Sequence, residues 1–226
     1  MDILIFGATG MVGQSVLREC LAAPDVGRVV CVGRTAVDTV HPRLENVVVS
    51  DLTDLKKVKK RLAPFDACFF CLGVSSVGMN EADYTRITYD LTMSAAQVLS
   101  AANRAMTFVY VTGAGTDSTE QGKRMWARVK GKTENDLLKL PFKAAYMFRP
   151  GVIQPMHAVR SKTALYQAAY VLAKPLFGLM HAFRPGSLVT SVQVGLAMLS
   201  VARSGYAKPL LEVADIQAAA AGRQAV

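Results

Sequence analysis

Short apolar runs alternate along this chain with segments in which apolar residues recur at helical spacing. The runs have the length and composition of buried strands, and they fall at residues 3–6, 29–32, 46–50, 67–72, 107–111 and 144–148. Helical spacing between them predicts helices at residues 11–22, 55–62, 81–104 and 121–139. This alternation predicts an α/β fold, with a doubly wound, mostly parallel sheet joined by right-handed crossovers.

The pattern changes after Pro150. Residues 164–180 are strongly apolar, but Lys174 and Pro175 interrupt them, so they lack the roughly 20 uninterrupted apolar residues of a transmembrane helix. Two interpretations remain open. The segment forms two helices that roof a substrate pocket, or it forms an apolar patch that contacts a membrane surface or a partner protein.

The apolar pattern of the remaining C-terminal residues predicts elements that pack back on the core. Residues 193–203 have helical spacing, residues 210–213 resemble an edge strand, and the alanine-rich tail from Ala218 looks frayed. We therefore expect one structural domain, with a dinucleotide-binding core at residues 1–153. A small helical substrate lobe at residues 154–226 would carry the return segment.

Composition supports this architecture and limits the ligands. Of the 226 residues, 51% are hydrophobic and 19% charged, which suits a sheet covered by helices on both faces. The net charge of +9 favours anionic ligands. The basic run from Lys56 to Arg61 contains no interleaved aromatic residue, so it predicts a solvated helix face and no nucleic-acid partner.

The cysteines predict a reducing compartment. Cys68 and Cys71 have redox-motif spacing, but they lie in a strand-like run, where residues three apart point to opposite faces. We read them as inert, reduced thiols, and with no secretory signal at the start we expect a cytoplasmic protein. The histidines His41, His157 and His181 are isolated, so no metal site is predicted.

Glycines follow the first strand at a spacing that suits a phosphate cradle. Gly7 permits a tight turn, Gly10 lets backbone N–H groups approach a pyrophosphate, and Gly13 lets the helix pack close to the sheet. The helix N-terminus adds donors and a positive dipole end. The predicted cradle consists of Gly7, Ala8, Thr9, Gly10, Met11, Val12 and Gly13.

Residues after the next strands predict how the rest of the dinucleotide binds. No acid follows the second strand to accept from a ribose hydroxyl, and Arg34 offers a guanidinium suited to a 2′-phosphate, so NADP(H) is favoured over NAD(H). Asp51 and Leu52 are placed to meet adenine. Cys71, Leu72 and Gly73 would run beneath the adenosine ribose and the pyrophosphate. Together with the cradle, these residues predict a Rossmann-type fold.

The ordered motifs GATGMVG, VGRT, SDL, FFCLG, YVTGAGTDS, WARVKGKTEN and FRPGVI resemble those of atypical short-chain dehydrogenases/reductases. Within that superfamily, the chain is similar to the small Tat-interacting-protein-like, NAD(P)H-binding or epimerase-like group. The resemblance runs from Met1 to about Ile153 and more loosely beyond. It implies a Tyr-x-x-x-Lys pair on one helix face, in which the lysine holds the nicotinamide ribose and the tyrosine moves the proton.

The resemblance assigns roles residue by residue. Lys130 matches the lysine, Thr112 lies where a hydroxyl orients the substrate oxygen, and the segment Pro150, Gly151 and Val152 would run past the nicotinamide. Trp126 occupies the tyrosine position, and its indole is no useful acid or base near neutral pH. It would line the pocket, stack on a ligand or simply fill space. Proton transfer could then fall to Tyr84, Tyr89, Tyr110 or Thr116.

Two functions remain open from the sequence. The first is an NADP(H)-dependent oxidoreductase that acts on a small carbonyl, alcohol or sugar-like substrate with a degenerate catalytic motif. The second is a non-catalytic NADP(H)-sensing regulator that contacts a protein partner through residues 164–180. A homodimer is compatible with either function.

Overall fold

The computed structural model describes residues 1–156 and 188–223. The predicted contacts through residues 164–180 lie outside this part of the chain. Within it, no helix combines the length and the hydrophobicity needed to cross a bilayer.

The strands in the described residues are β1 Asp2–Phe6, β2 Arg28–Gly33, β3 Leu44–Val48, β4 Ala67–Phe70, β5 Thr107–Val111, β6 Ala144–Phe148, β7 Val152–Gln154, β8 Leu188–Thr190 and β9 Leu210–Leu211. Seven of them form a parallel sheet at the centre of the protein, in the order β3-β2-β1-β4-β5-β6-β9. A separate parallel pair, β7 with β8, joins Val152 to Leu188 and Gln154 to Thr190. The predicted Rossmann-type sheet is confirmed.

Helices cover both faces of this sheet. Those in the described residues are α1 Met11–Ala22, α2 Lys59–Leu62, α3 Glu81–Thr85, α4 Leu91–Ala102, α5 Met125–Leu137, α6 Ser191–Ser204 and α7 Val213–Ala220. One core lies between the sheet and α1, α6 and α7, and the other lies beneath α2, α4 and α5. In the second core, Phe70 contacts the rings of Phe6, Phe108 and Tyr110 at centroid distances of 5.2, 5.8 and 5.9 Å.

Several predicted boundaries were wrong. The predicted helix at 81–104 contains a π-helical segment, Arg86–Asp90, between α3 and α4. The basic helix at 55–62 shrinks to a 3₁₀ turn, Lys56–Val58, followed by the one-turn α2. The tail from Ala218 is not frayed at its start, because Ile216 and Ala219 of α7 are buried against the sheet.

Residues 188–223 pack into the core of the protein. Gly195 lets α6 pack closely on α1, since a Cβ atom there would lie 2.8 Å from the Cγ of Glu19. Strand β9 extends the sheet beside β6. The substrate lobe predicted within residues 154–226 stays a prediction, because residues 157–187 lie outside the described part.

Candidate functional site

The turn between β1 and α1 depends on its first and third glycines. Gly7 adopts a φ of +80°, a conformation that side chains disfavour, and its carbonyl accepts a 2.9 Å hydrogen bond from the Gly10 N–H. A Cβ atom on Gly13 would lie 2.1 Å from the Gly7 carbonyl oxygen. Such a contact is impossible, so only glycine lets α1 meet the turn this closely.

The N-terminus of α1 is open to a ligand. Its N-cap is Gly10, no side chain caps it, and its first turn contains no acidic residue. The first N–H groups of a helix have no intrahelical partner and sit at the positive end of the helix dipole. The turn and the helix therefore form an anion-binding cradle at the point where the strand order reverses on either side of β1.

A cavity of about 760 Å³ begins at this cradle and runs along the carboxyl ends of β1–β4. Of the residues predicted to bind cofactor, it is lined by Gly7, Ala8, Thr9, Arg34, Asp51, Leu52, Leu72 and Gly73. The sequence did not point to further lining residues, namely Val32, Gly33, Thr35, Val37, Ser50, Val74, Ile87 and Leu91. Ile87 and Leu91 were missed because the sequence did not reveal which side of their helical segments faces the cavity.

Two charged residues stand at the far end of this cavity. The Arg34 side chain is exposed and forms no ion pair with any residue of the described ranges. Asp51 Oδ1 accepts hydrogen bonds from the hydroxyl and the N–H of Thr53, at 2.7 and 2.8 Å, and these bonds hold the pKa of Asp51 below its usual value. The guanidinium is therefore free to bind an anion, while the carboxylate stays ionised.

The predicted catalytic lysine lies on the same edge of the sheet. Lys130 Nζ donates a 2.8 Å hydrogen bond to the carbonyl oxygen of Thr112, just beyond β5. Burial lowers the pKa of Lys130 to about 8, although the carboxylate of Glu134 acts in the opposite direction. The ammonium is thus held beside the strand end, with its other two N–H groups available to a ligand.

The Thr112 hydroxyl is engaged within the protein and is not free to orient a substrate oxygen. It donates to Oε1 of Glu134 at 2.6 Å and lies 3.0 Å from the Phe148 carbonyl oxygen. Its geometry therefore gives no support to the predicted orientation of a substrate oxygen. Sequence reasoning overlooked Glu134, although its spacing of four residues from Lys130 was a readable signal.

Trp126 lies one turn before Lys130 on α5 and is half-buried. Its ring edge approaches the turn after β5, at 3.6 Å from where a Cβ atom of Gly115 would be. Gly115 has a φ of +83°, so a side chain is disfavoured there as well. The indole therefore packs over a turn made of Gly113, Ala114 and Gly115, which offers no hydroxyl.

The other candidate proton donors are occupied or enclosed. Tyr84 and Tyr110 are buried, and burial raises the pKa of each phenol. Tyr89 donates to Asp136 at 2.8 Å, and Thr116 donates to the Gly113 carbonyl at 2.8 Å. Among these four, none offers an unengaged acid at the turn.

The remaining predicted cofactor residues have structural contacts. The Pro150 carbonyl accepts a 2.8 Å hydrogen bond from the Ala114 N–H, Gly151 follows it, and Val152 opens β7. Cys71 lies under the cradle, where a Cβ atom on Gly7 would be 2.8 Å from the Cys71 carbonyl carbon. Burial raises the pKa of the Cys71 thiol to about 12, which makes it a poor nucleophile.

No group of three histidine, cysteine or acidic side chains in residues 1–156 and 188–223 is placed to hold a metal ion. The polar residues around the cavity instead offer backbone amides, the hydroxyls of Thr9, Thr35 and Ser50, one guanidinium and one carboxylate. That set suits a phosphorylated organic ligand.

Comparison with known proteins agrees with this geometry. "Protein FMP52-1, mitochondrial" of Scheffersomyces stipitis is 24% identical over 218 residues, covering 92% of this chain and 91% of that protein. "Protein HTATIP2" of Rattus norvegicus is 27% identical over 155 residues, or 67% of this chain, which spans 62% of that relative. The expected cytoplasmic location is contradicted, because several of these relatives are named as mitochondrial proteins.

Solved structures show the same fold at low sequence identity. The Bordetella bronchiseptica enzyme WbmF, in complex with NAD+, superposes with a TM-score of 0.66 at 14% identity, covering 96% of this chain and 76% of that one. The Helicobacter pylori ADP-L-glycero-D-manno-heptose-6-epimerase gives a TM-score of 0.65 at 15% identity, covering 89% and 73%.

A sequence model of an NAD(P)H-binding family matches residues 7–139, which include the glycine cradle, Arg34 and Lys130. The match spans more than half of the chain and agrees with the sheet order and the cavity. The chain therefore belongs to this NAD(P)H-binding family.

Proposed function

We propose that this protein is an NADP(H)-dependent oxidoreductase that acts on a small carbonyl, alcohol or sugar-like substrate. The observation that carries the proposal is the half-buried Lys130 ammonium, held by the Thr112 carbonyl on the same sheet edge as the glycine cradle. A protein that bound only the pyrophosphate of a ligand would not need a partly desolvated lysine ammonium at the end of β5. The fold shared with a sugar-nucleotide epimerase supports the substrate class.

The chain's own residues would divide the work between the two ends of the cofactor. The cradle and the N-terminus of α1 bind the pyrophosphate, and Lys130 donates to the nicotinamide ribose. The bound cofactor supplies hydride to the substrate or removes it. Pro150, Gly151 and Val152 run past the nicotinamide, and Trp126 lines the adjoining space. With no tyrosine at position 126, the proton passes through water or the substrate itself.

Changing Arg34 to serine tests the preference for NADP(H). A charge-assisted bond to a 2′-phosphate is worth about 1.5–3 kcal/mol, so the NADPH dissociation constant should rise roughly 10- to 150-fold. The NADH dissociation constant should stay within about twofold, because that cofactor lacks the phosphate. Lys57→Ser removes the same charge from an exposed position outside the cavity and serves as the control. Equal losses for both cofactors would remove the role given to Arg34.

Two further variants test catalysis. Purified protein is mixed with NADPH and a panel of carbonyl compounds, and cofactor absorbance is followed. Lys130→Ala should abolish turnover. Trp126→Tyr should raise it by about 10²–10⁴-fold, because it restores an acid one turn from Lys130 on the same helix face. A Trp126→Phe variant, which has an aromatic ring but no acid, should show no such rise.

Two observations favour a second function, a non-catalytic NADP(H)-sensing regulator. Trp126 stands in the tyrosine position, and the Thr112 hydroxyl is engaged by Glu134. Such a protein would bind NADPH tightly and turn over no compound of the panel, and Trp126→Tyr would not create activity. That pattern would replace the oxidoreductase proposal with the regulator.

A further inference from the structure

A completely buried carboxylate lies one helical turn beyond Lys130. The Glu134 side chain has no exposed surface, and an isolated charge there would be very costly. Arg149 compensates it, with Nε 3.1 Å from each carboxylate oxygen and Nη2 also bonded to Oε2. This pairing raises the pKa of Arg149.

The ion pair is linked to Lys130 through a single residue, Thr112. The Thr112 hydroxyl donates to Glu134, its N–H donates to the Phe148 carbonyl at 2.7 Å, and its own carbonyl accepts from Lys130 Nζ. These three contacts hold the side chain and both backbone polar groups of Thr112 in one conformation. The carboxylate thereby helps to fix the carbonyl that accepts from the lysine ammonium.

Arg149 also connects its ion pair with Glu134 to two other segments of the chain. Its Nη2 donates to Ser118 Oγ at 2.6 Å, and its Nη1 lies 3.2 Å from Glu212 Oε1. Ser118 belongs to the loop that follows the Gly113–Gly115 turn, and Glu212 precedes α7. The network thus joins α5, the end of β5, the end of β6, this loop and the start of α7.

We propose that Glu134 is a positioning residue that, through Thr112, holds the Lys130 ammonium in the orientation that binds the cofactor. This inference rests on the proposed binding of NADP(H) beside Lys130. Glu134 lies one turn from Lys130 on α5, its carboxylate favours the charged form of the ammonium, and Arg149 lies beyond that carboxylate. The acid therefore acts on Lys130 in two ways, by orienting its acceptor and by favouring its charged form.

Glu134→Gln separates this role from simple packing, because it keeps the volume and removes the charge. The first measurement is the pH dependence of Lys130 modification by an amine-reactive reagent, followed by mass spectrometry without cofactor. The midpoint should fall from about 8 by roughly one pH unit, since the opposing negative charge is lost. The second is NADPH titration at pH 7, where the dissociation constant should rise about tenfold.

Glu212→Gln is the matched control, because it removes the other carboxylate on Arg149 and does not contact Thr112. It should leave the Lys130 midpoint unchanged and the NADPH dissociation constant within about twofold. Thr112→Val breaks the hydroxyl link but leaves the carbonyl and Glu134, so it should weaken NADPH binding about as much as Glu134→Gln. If the Glu134→Gln protein does not fold, NADPH binding by the Thr112→Val protein tests the proposal instead.

A folded Glu134→Gln protein with the wild-type midpoint and NADPH affinity would overturn the proposal. So would a folded Thr112→Val protein that binds NADPH as the wild type does. If the wild-type protein itself fails to bind NADPH, the proposed function fails. The modification midpoint then still shows whether Glu134 acts on Lys130.

Discussion

Replacing Gly13 with alanine is expected to raise the NADPH dissociation constant by at least about 100-fold. The added methyl carbon would lie 2.1 Å from the Gly7 carbonyl oxygen and 2.8 Å from the Cα of Ala8, so the turn must move away from α1. Donors aimed at a phosphate are each worth about 1.5–3 kcal/mol, and displacing two of them accounts for a loss of this size. Fluorescence titration of NADPH measures it.

Gly27→Ala is the control for the Gly13 substitution. It adds the same methyl group just before β2, at the opposite edge of the sheet, where the nearest atom is a side-chain oxygen of Asp2 at 3.3 Å. It should bind NADPH as the wild type does. A folded Gly13→Ala protein with unchanged affinity would show that the cofactor does not depend on this turn.

Replacing Gly131 with alanine is expected to destabilise the protein by about 3 kcal/mol or more. In an ordinary helix this change would be favourable, since alanine has the higher helix propensity. Here, however, the Cβ atom would lie 1.8 Å from the carbonyl oxygen of Asp117, which is backbone. The melting temperature should fall by about 6 °C or more, measured by circular dichroism.

Gly195→Ala provides the comparison within another helix. Its added carbon would meet the Cγ and Cβ atoms of Glu19 at 2.8 and 3.1 Å, a milder overlap than at Gly131, and a χ1 rotation moves the Cγ atom while the Cβ atom needs only a small shift of the helices. Its effect should be the smaller of the two. Equal melting temperatures for Gly131→Ala and the wild type would mean that the loop does not pack on α5 as described.

The fold was predictable because its signals are local. Each central strand is a short apolar run bounded by residues that end a strand. Three glycines at fixed spacing mark the turn between β1 and α1. The π-helical segment Arg86–Asp90 was not predictable, because apolar periodicity does not distinguish its hydrogen bonding from that of an α-helix. The burial of Val213, Ile216 and Ala219 in α7 was equally hidden, since alanine-rich ends occur in frayed tails as well.

The candidate site was predictable in part. The phosphate cradle depends on adjacent residues, so the sequence displays it almost completely. Glu134 looks like any acid on a Lys- and Glu-bearing helix, and only the folded chain places it against Arg149, fifteen positions away. The Thr112 hydroxyl was assigned to substrate for the same reason, because its actual acceptor comes from another element.

The packing of α6 and α7 against α1 has a consequence for synthesis. Val194, Met198 and Ile216 belong to the same core as Val16 and Leu17 of the first helix. A growing polypeptide on the ribosome therefore cannot close that face until α7 has been translated. Until then, the segment that contains the glycine cradle exposes an apolar surface of the kind that chaperones recognise. Competence to bind the coenzyme should accordingly appear only after α7 has emerged from the ribosome.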